Sequence, residues 1–257
     1  MTETLHVTTP ALVDDSTVQA YRAQGFVRIP QIISAAEVAH FHHAAAAALE
    51  RLSHKDFSRS AVFTQLVNVW QEDDAMRALT LHPNVGGVAQ KLAGIPLRIW
   101  HDHMLIKQPH NNAPTHFHQD QPFWPHANTR HTLSAWIALV DVPVERGCMT
   151  FIPRSHTRSG LRPQNLHNEH DLLSLWPELV WRERVTVPLR AGDCTFHHGL
   201  CPHMATANLT AEPRFAHVVI FMDAATTYSG ARHVVTDPLG LAVGAPLDGP
   251  LFPLVAP

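Results

Sequence analysis

The stretch "THFHQDQPFWPH", from Thr115 to His126, contains an unusual run of ligand-type side chains. His116, His118 and Asp120 are spaced two residues apart. Because residues i and i+2 of a β-strand point to the same face, we expect these side chains to project together. Burying such polar groups without partners would cost several kcal/mol of folding free energy. The pattern therefore predicts a strand that presents metal ligands.

A non-haem Fe(II) site needs two histidines and one carboxylate on one face of the metal, with the other positions open. The segment from Ala191 to Met222 contains His197, His198 and His203, and Arg214 opens the strand that follows. Arginine pairs with a carboxylate through two parallel hydrogen bonds, so it suits the far end of a metal-chelated 2-oxo acid. The spacing to Arg214 favours His203 as the third ligand, with His197 and His198 as alternatives.

Composition limits the classes of protein to consider. The chain has 257 residues and 45% hydrophobic content, which suits one large domain or at most two. A net charge of −3 and the lack of a long basic run make nucleic acid and anionic membranes poor partners. Met1 to Pro10 lacks a signal-peptide layout, and no apolar stretch is long enough to span a bilayer. The three cysteines form no Cys-X-X-Cys pair, which argues against zinc and favours reduced thiols in a cytoplasmic protein.

The first third of the sequence is helical in character. Asp15 to Gln24 reads as a helix with Ser16 as its N-cap. Ser34 and Glu37 form the pattern of a capping box, which predicts a helix over Ala35 to Leu52. Two further helices are expected over about 73–79 and 85–92.

From residue 97 onward, strand-like runs alternate with proline, glycine and asparagine. This order predicts a mainly β protein with flanking helices, built on a double-stranded β-helix (a jelly-roll, cupin-like core). We expect a single domain over 1–257, with a helical part at about 11–95, the core at about 96–236 and an irregular tail at 237–257. The segment from Arg158 to Arg184 has little strand character and is expected to be an insertion or a lid over one barrel mouth.

Five segments occur in the order typical of a known family: "YRAQGFVRIPQIISAAEVAHF", "HMLIKQP", "HQDQPFWP", "AWIALVDVPVERGCMTFIPRSH" and "GDCTFHHGLCPHMATANLTAEPR". Together they resemble the phytanoyl-CoA dioxygenase family of Fe(II)- and 2-oxoglutarate-dependent oxygenases, over most of the chain. The resemblance implies that the iron ligands are His118, Asp120 and His203. It also implies that Arg214 binds the 2-oxoglutarate carboxylate, and that this pocket is lined by Met104 and Trp136, with Lys107 near it.

Two positions depart from the family pattern. Ala205 stands where the family often has a hydroxyl residue that touches the cosubstrate, so one hydrogen bond of about 0.5–1.5 kcal/mol is missing. Arg154 replaces the usual glycine in the segment that ends the second strand pair.

Plainer structural roles are open for several of these residues. His118 and Asp120 could be a hydrogen-bonded pair without a metal, His116 could be a rim or core histidine, and Trp136 could be a core residue. The residues that follow the predicted metal strand could either pack the loop or contact substrate; they are Gln121, Phe123, Trp124 and His126.

The resemblance implies an enzyme that uses Fe(II), 2-oxoglutarate and O2 and releases succinate and CO2. We expect it to hydroxylate an unactivated C–H bond of a small molecule, either lipid-like or a secondary metabolite. The intact Asp120 argues against halogenation, because halogenating relatives replace that carboxylate with a small residue. The alternatives are a non-oxidative metal-binding jelly-roll protein (an isomerase or a small-molecule binding module), which would have no use for Arg214, and a catalytically silent relative.

Overall fold

The computed structural model describes residues 13–55 and 62–256; the first ten residues, which we expected to carry no targeting leader, lie outside the described part. The helices are α1 Asp15–Gln24, α2 Ala35–Leu52, α3 Asp74–Thr80, α4 Pro83–Ala93 and α5 Asp171–Leu175. The strands are β1 Phe26–Ile29, β2 Thr64–Val67, β3 Leu97–Lys107, β4 Thr115–His118, β5 His126–Ala127, β6 Thr132–Ala138, β7 Met149–Phe151, β8 Val185–Val187, β9 Cys194–His198, β10 His203–Ala205, β11 Arg214–Asp223 and β12 Thr227–Tyr228.

Local capping explains where the first helices begin. The capping box of α2 is present as predicted, since the Ser34 and Glu37 side chains each bond to the other's backbone N–H. For α1 the bounds are as predicted, but the N-cap is Asp14 rather than Ser16. The Asp14 carboxylate accepts the backbone N–H of Thr17 at 2.8 Å, which satisfies one of the free donors at the helix start.

The strands form two larger antiparallel sheets and one small pair. The six-stranded sheet has the order β1-β9-β6-β11-β3-β2, the four-stranded sheet has the order β4-β10-β7-β8, and β12 pairs with β5. These two antiparallel sheets with helices on the outside form the predicted jelly-roll core.

The six-stranded sheet has an apolar core on each face. Side chains alternate along β11, so Val219 packs with Phe41 and the other helix-facing residues, while Val218 packs with Phe151 between the two sheets. Burial of each such side chain contributes about 1.5–3 kcal/mol to folding. The two cores hold the six-stranded sheet in place. A cavity opens from the core between the two sheets.

The segment from Arg158 to Arg184 folds into α5 and a 3-10 turn at Pro177–Trp181, with Leu172 and Leu179 buried against Phe117 beside β4. The tail after residue 236 is largely irregular, as expected, yet it is packed: Phe252 is buried against the core between the sheets. No helix in the described ranges combines the length and the apolar character needed to cross a membrane.

Candidate metal centre and cosubstrate cavity

Two strand ends of the four-stranded sheet bring His118 and His203 together. β4 and β10 run antiparallel, and these two residues are directly paired in the register, with their ring centroids 4.3 Å apart. A directly paired position in an antiparallel sheet places side chains on the same face. Residues that are 85 positions apart in sequence therefore present their imidazoles to one point.

Backbone carbonyls determine which ring nitrogen of each histidine is available. Nδ1 of His118 lies 2.8 Å from the carbonyl oxygen of His116, and Nδ1 of His203 lies 3.0 Å from that of Cys201. A carbonyl can only accept, so each Nδ1 carries the proton and each Nε2 offers a lone pair. Burial lowers the pKa of His203 to about 3, so its ring is neutral at physiological pH and suited to bind a metal.

Asp120 completes the group from a turn and not from a strand. β4 ends at His118, and Asp120 has helical dihedrals (φ −73, ψ −46) at the start of a 3-10 turn. Its Oδ1 lies 3.5 Å from Nε2 of His118 and 3.6 Å from Nε2 of His203. The potential ligand atoms of the three residues all lie within 4.8 Å of one another, so one ion could contact all three. The prediction that strand alternation aligns Asp120 with His118 is wrong, although the two side chains do meet.

The second carboxylate oxygen of Asp120 is held by two residues of the six-stranded sheet. Ser134 Oγ donates to Oδ2 at 3.0 Å, and Nε2 of His197 lies 3.2 Å from the same atom. Burial by itself would raise the pKa of Asp120, but the three neighbouring histidines outweigh it and hold that pKa well below its usual range. His197 thus supports the carboxylate and does not join the group that could hold a metal. Nothing in the sequence singled out Ser134; its cross-strand pairing with His197 becomes visible only in the sheet register.

Arg214 lies buried in the same cavity, and no anionic side chain in residues 13–55 or 62–256 pairs with it. Its guanidinium carbon sits 5.1 Å above the Trp136 ring, Nη1 reaches the carbonyl oxygen of Gly147 only at 3.5 Å, and Nε is enclosed with no hydrogen-bond partner. Burial lowers the pKa of Arg214 to about 9, so the side chain is still charged at neutral pH. A buried, charged fork with an unused donor fits a carboxylate.

The metal group and Arg214 line one cavity of about 390 Å³. Its other walls are mostly apolar and aromatic, with several histidines; they include Phe63, Val67, His101, His103, Leu105, Thr115, Phe123, Trp124, Trp136, Met149, Leu166, His197, Ala205, Val218, Ile220, His233 and Val234. A cavity of this size with a few convergent polar groups is typical of a small-molecule site.

Comparison with known proteins agrees with this geometry. The family model described as "Phytanoyl-CoA dioxygenase (PhyH)" matches residues 21–216. The chain belongs to the phytanoyl-CoA dioxygenase family.

Solved structures in the comparison share both the fold and much of the sequence. The chain is 40% identical to the non-heme alpha-ketoglutarate-dependent carbocyclase SnoK from nogalamycin biosynthesis, over 96% of this chain and 100% of that one, with a TM-score of 0.87. It is 37% identical to the epimerase SnoN in complex with Fe3+, alpha ketoglutarate and nogalamycin RO, over 93% and 97% of the two chains, with a TM-score of 0.78.

Among curated relatives, the chain is 32% identical to phytanoyl-CoA dioxygenase domain-containing protein 1 of Mus musculus over 161 residues. This match covers 60% of this chain and 55% of the relative, so the chain spans about half the length of that protein.

Within the family fold, the residues predicted around the cosubstrate divide between the two faces of the sheet. Trp136 lines the cavity. Met104 does not: β3 alternates, so His103 and Leu105 face the cavity while Met104 packs into the core on the helix side. By the alternation of β3, Lys107 lies on the same side of the strand as His103 and Leu105. Its ammonium, however, donates to the carbonyl oxygens of Ala113 and Thr206 at 2.9 and 2.8 Å.

The Lys107 ammonium therefore connects two loops by hydrogen bonds beside Arg214. Burial and the charge of Arg214 lower the pKa of Lys107 to about 7. The two carbonyl acceptors compensate for the burial of its ammonium group. The structure does not place Lys107 among the residues that line the cavity.

Of the four residues predicted to contact substrate, two line the cavity and two do not. Phe123 and Trp124 line the cavity. Gln121 is engaged elsewhere, since its Oε1 accepts the Thr132 hydroxyl at 2.8 Å. His126 packs against Trp100 and Trp124, with both ring nitrogens enclosed, and is absent from the cavity wall.

Two further sequence expectations are changed by backbone detail. His116 does not share the cavity face with His118, because a β-bulge between the pairs His203–His118 and Ala205–Thr115 shifts the alternation of β4. Arg154 has φ +60, a left-handed conformation that costs an L-residue about 1–2 kcal/mol. Glycine, which the family resemblance implies at that position, would adopt this conformation without strain.

Proposed function

We propose that this protein is an Fe(II)- and 2-oxoglutarate-dependent oxygenase that oxidises an unactivated C–H bond of a small organic molecule. The observation that carries the proposal is that one cavity contains both a His–Asp–His group and a buried arginine that has no anionic partner among the described residues. A metal-binding module that did not use a 2-oxo acid would have no need for that arginine. This arrangement argues against the non-oxidative alternative.

In this proposal His118 and His203, through Nε2, and Asp120, through a carboxylate oxygen, would hold the metal. The residues present fit this role because both Nδ1 atoms are already committed to carbonyls, leaving both Nε2 lone pairs aimed at the same point. Ser134 and His197 hold the other carboxylate oxygen and so fix the orientation of Asp120.

Arg214 is proposed to bind the far carboxylate of 2-oxoglutarate through its guanidinium, with Trp136 covering one face of the charged group. When bound, the metal would supply the oxidative decarboxylation of 2-oxoglutarate by O2, which yields succinate and CO2 and leaves an oxidant for the substrate. The chain orients both and shields the reacting C–H bond from water with apolar walls.

Two outcomes of that oxidation are compatible with the site. Hydroxylation is the first candidate. Ring closure or epimerisation is the second, and it is favoured by the 40% and 37% identity with a carbocyclase and an epimerase along nearly the whole chain. Both reactions begin at a C–H bond, so they place the same demand on the metal group. We further propose that the chain acts as one domain in the cytoplasm, in line with its three free, buried cysteines.

The test is an anaerobic titration of metal-free protein with Fe(II) and then 2-oxoglutarate, following the visible charge-transfer band of the chelated complex. We expect a band in the wild type and none in His203→Ala. His116→Ala is the matched control, because this imidazole is on the same sheet but does not line the cavity, and it should keep the band. Iron binding without a band would favour the non-oxidative reading.

A further inference from the structure

Three histidines line the end of the cavity that lies away from Arg214. His101 and His103 project from β3, and His233 comes from the loop after β12. The ring centroid of His101 is 5.5 Å from that of His103 and 5.6 Å from that of His233. Gln65 lines the cavity beside His103, so the three histidines belong to a polar patch in a wall that is mostly apolar elsewhere.

The sheet register separates this patch from the cosubstrate end. On β11, Arg214 is the position with the cosubstrate role, while Val218 pairs with His103 and Ile220 pairs with His101. At a rise of about 3.3 Å per residue, the partners of His103 and His101 lie about 13 and about 20 Å along the strand from Arg214. Ser134, which donates to Asp120, also pairs with Ile220, so the proposed metal lies at the level of His101 along the sheet. The cosubstrate would extend from the metal towards Arg214, so the histidine patch borders the space left for substrate beside the metal.

Backbone groups fix the proton positions of two of these rings. Nδ1 of His101 lies 3.0 Å from the carbonyl oxygen of Asp102, so it carries a proton and leaves Nε2 as an acceptor. Nδ1 of His233 accepts the backbone N–H of Val235 at 3.2 Å, so in the neutral ring the proton is on Nε2. One ring therefore accepts and the other donates.

His103 is a second donor. Its Nδ1 lies 2.9 Å from Nε2 of the Gln65 amide, which can only donate, so the His103 proton is also on Nε2. In the described part of the chain, none of the three Nε2 atoms is bonded to the protein or enclosed without a partner. The patch thus offers the cavity two N–H donors and one acceptor.

These rings are neutral, and the Asp120 carboxylate, whose charge acts on His103, adds a negative charge nearby. Burial lowers the pKa of His101 well below its usual value and that of His103 and His233 to about 4. Among the described residues of the cavity wall, Arg214 is the one lysine or arginine, and it lies at the opposite end. A carboxylate or phosphate beside the patch would be buried without a cationic side chain to pair with it, which is costly. Hydroxyl, carbonyl and ether oxygens match the donors and the acceptor.

We propose that His101, His103 and His233 are specificity-determining residues that bind a neutral substrate through neighbouring oxygen atoms, at least one of which is a hydroxyl. The hydroxyl donates to His101, and oxygen atoms of the substrate accept from the other two rings. The aromatic side chains of Phe123 and Trp124 in the same wall contact the apolar part of the substrate. This inference rests on the proposed function, because it assumes that the cosubstrate occupies the end at Arg214.

The test uses three probes with one skeleton: phenyl β-D-glucopyranoside, its anionic counterpart phenyl β-D-glucuronide, and 2-phenoxytetrahydropyran, which keeps the ring but lacks the hydroxyls. Binding to protein loaded anaerobically with Fe(II) and 2-oxoglutarate is measured by calorimetry. We expect the glucoside to bind about tenfold more tightly than either analogue, because 2-phenoxytetrahydropyran leaves the polar patch unpaired and the glucuronide buries a carboxylate without a cationic side chain. Failure of the glucoside to bind, or equal binding of an analogue, overturns the proposal.

Leucine variants connect the preference to the histidines. In His101→Leu and His103→Leu, the preference for the glucoside over 2-phenoxytetrahydropyran should fall several-fold. His233→Leu repeats the test on a loop, where folding is less at risk, and His233→Gln should restore part of the preference by returning an N–H donor. The control is His43→Leu, an exposed histidine of α2, which should keep the full preference. If the leucine variants of all three patch histidines keep the full preference for the glucoside, the proposed role of the patch is refuted.

The charge-transfer band separates this proposal from the one on which it rests. A wild-type protein without the band contradicts the oxygenase function itself. A protein that shows the band but does not discriminate among the probes contradicts only the role of the histidine patch. A direct check is the nitrogen chemical shifts of the three rings by NMR, which should report a proton on Nδ1 of His101 and on Nε2 of His103 and His233.

Discussion

Replacing Arg214 with leucine should make the protein more stable and its cosubstrate binding much weaker. The guanidinium is buried, its Nε has no partner, and its best hydrogen bond to the protein is a 3.5 Å contact with Gly147. A charge held in this way costs folding free energy, and the cost is offset only when an anion binds. Arg214→Leu removes both the cost and the binding group.

The gain in stability follows from the titration of Arg214. Burial lowers its pKa from 12.5 to about 9, and a difference of that size corresponds to roughly 5 kcal/mol at 1.36 kcal/mol per pKa unit. Below pH 9 the side chain is protonated both folded and unfolded, so the full cost is present at neutral pH; it disappears as pH rises from 9 to 12.5. The lost contact with the Trp136 ring offsets about 2 kcal/mol. The free energy of unfolding of Arg214→Leu should therefore rise by about 3 kcal/mol.

The loss in affinity follows from the ion pair that the variant cannot form. Removing one partner of a buried, hydrogen-bonded charge pair costs about 3–5 kcal/mol, and each 1.4 kcal/mol is a factor of ten in affinity. The dissociation constant for 2-oxoglutarate should increase at least about 100-fold. Urea unfolding of the metal-free protein measures the first effect, and anaerobic titration of the charge-transfer band measures the second.

Two controls isolate the buried charge. Arg182→Leu makes the same replacement at an exposed arginine and should change neither quantity by more than about 0.5 kcal/mol. Arg214→Lys keeps a cation without the planar fork and should bind 2-oxoglutarate with intermediate affinity. The reasoning would be refuted if Arg214→Leu destabilised the metal-free protein, or if it left the affinity for 2-oxoglutarate unchanged.

Three further predictions follow from contacts at other positions. Ser134→Ala leaves Oδ2 of Asp120 with one partner, so iron affinity should fall about 10-fold in a metal titration; an unchanged affinity would show that this hydroxyl does not position the carboxylate. Arg154→Gly relieves a left-handed conformation at some entropic cost, so the urea midpoint should rise by the equivalent of about 0.5–1 kcal/mol, and a decrease would contradict the strain. Burial lowers the pKa of three histidines to about 3 (His126, His198 and His217), whereas the unfolded rings titrate near 6.5. The unfolded state then binds more protons, so the free energy of unfolding should fall steadily from about pH 6.5 towards pH 3; a constant urea midpoint between about pH 7 and pH 4.5 would contradict this assignment.

Features with strong local signals were predictable from the sequence. The capping box at Ser34 fixed the start of α2, because both partners lie within one turn. The β-rich half after residue 97 followed from alternating runs and turn residues. The grouping of His118, Asp120 and His203 was predicted from the order of motifs, and the structure does bring those three residues together.

The predictions that failed concern residues whose placement depends on irregularities that local sequence patterns do not encode. A bulge between Thr115 and His118 shifts the alternation of β4, so parity gave the wrong face for His116. Met104 was assigned by position within a motif, but the face of β3 depends on the register with its neighbours, and that register places it on the helix side. Ser134 was missed because its partner Asp120 comes from a separate segment and the two meet only in the folded sheet.

The histidines of the cavity show a common design that the sequence cannot reveal. In His118, His203 and His101, Nδ1 donates to a backbone carbonyl, so Nε2 presents a lone pair to the cavity. In His103 and His233, Nδ1 accepts an N–H, so Nε2 presents a proton. Identical side chains therefore serve as metal ligands or as donors and acceptors for oxygen atoms according to which group contacts Nδ1. Exchanging that group should change the chemistry without changing the histidine: Gln65→Glu, which replaces the amide donor with an acceptor, should invert the tautomer of His103 and weaken the binding of phenyl β-D-glucopyranoside.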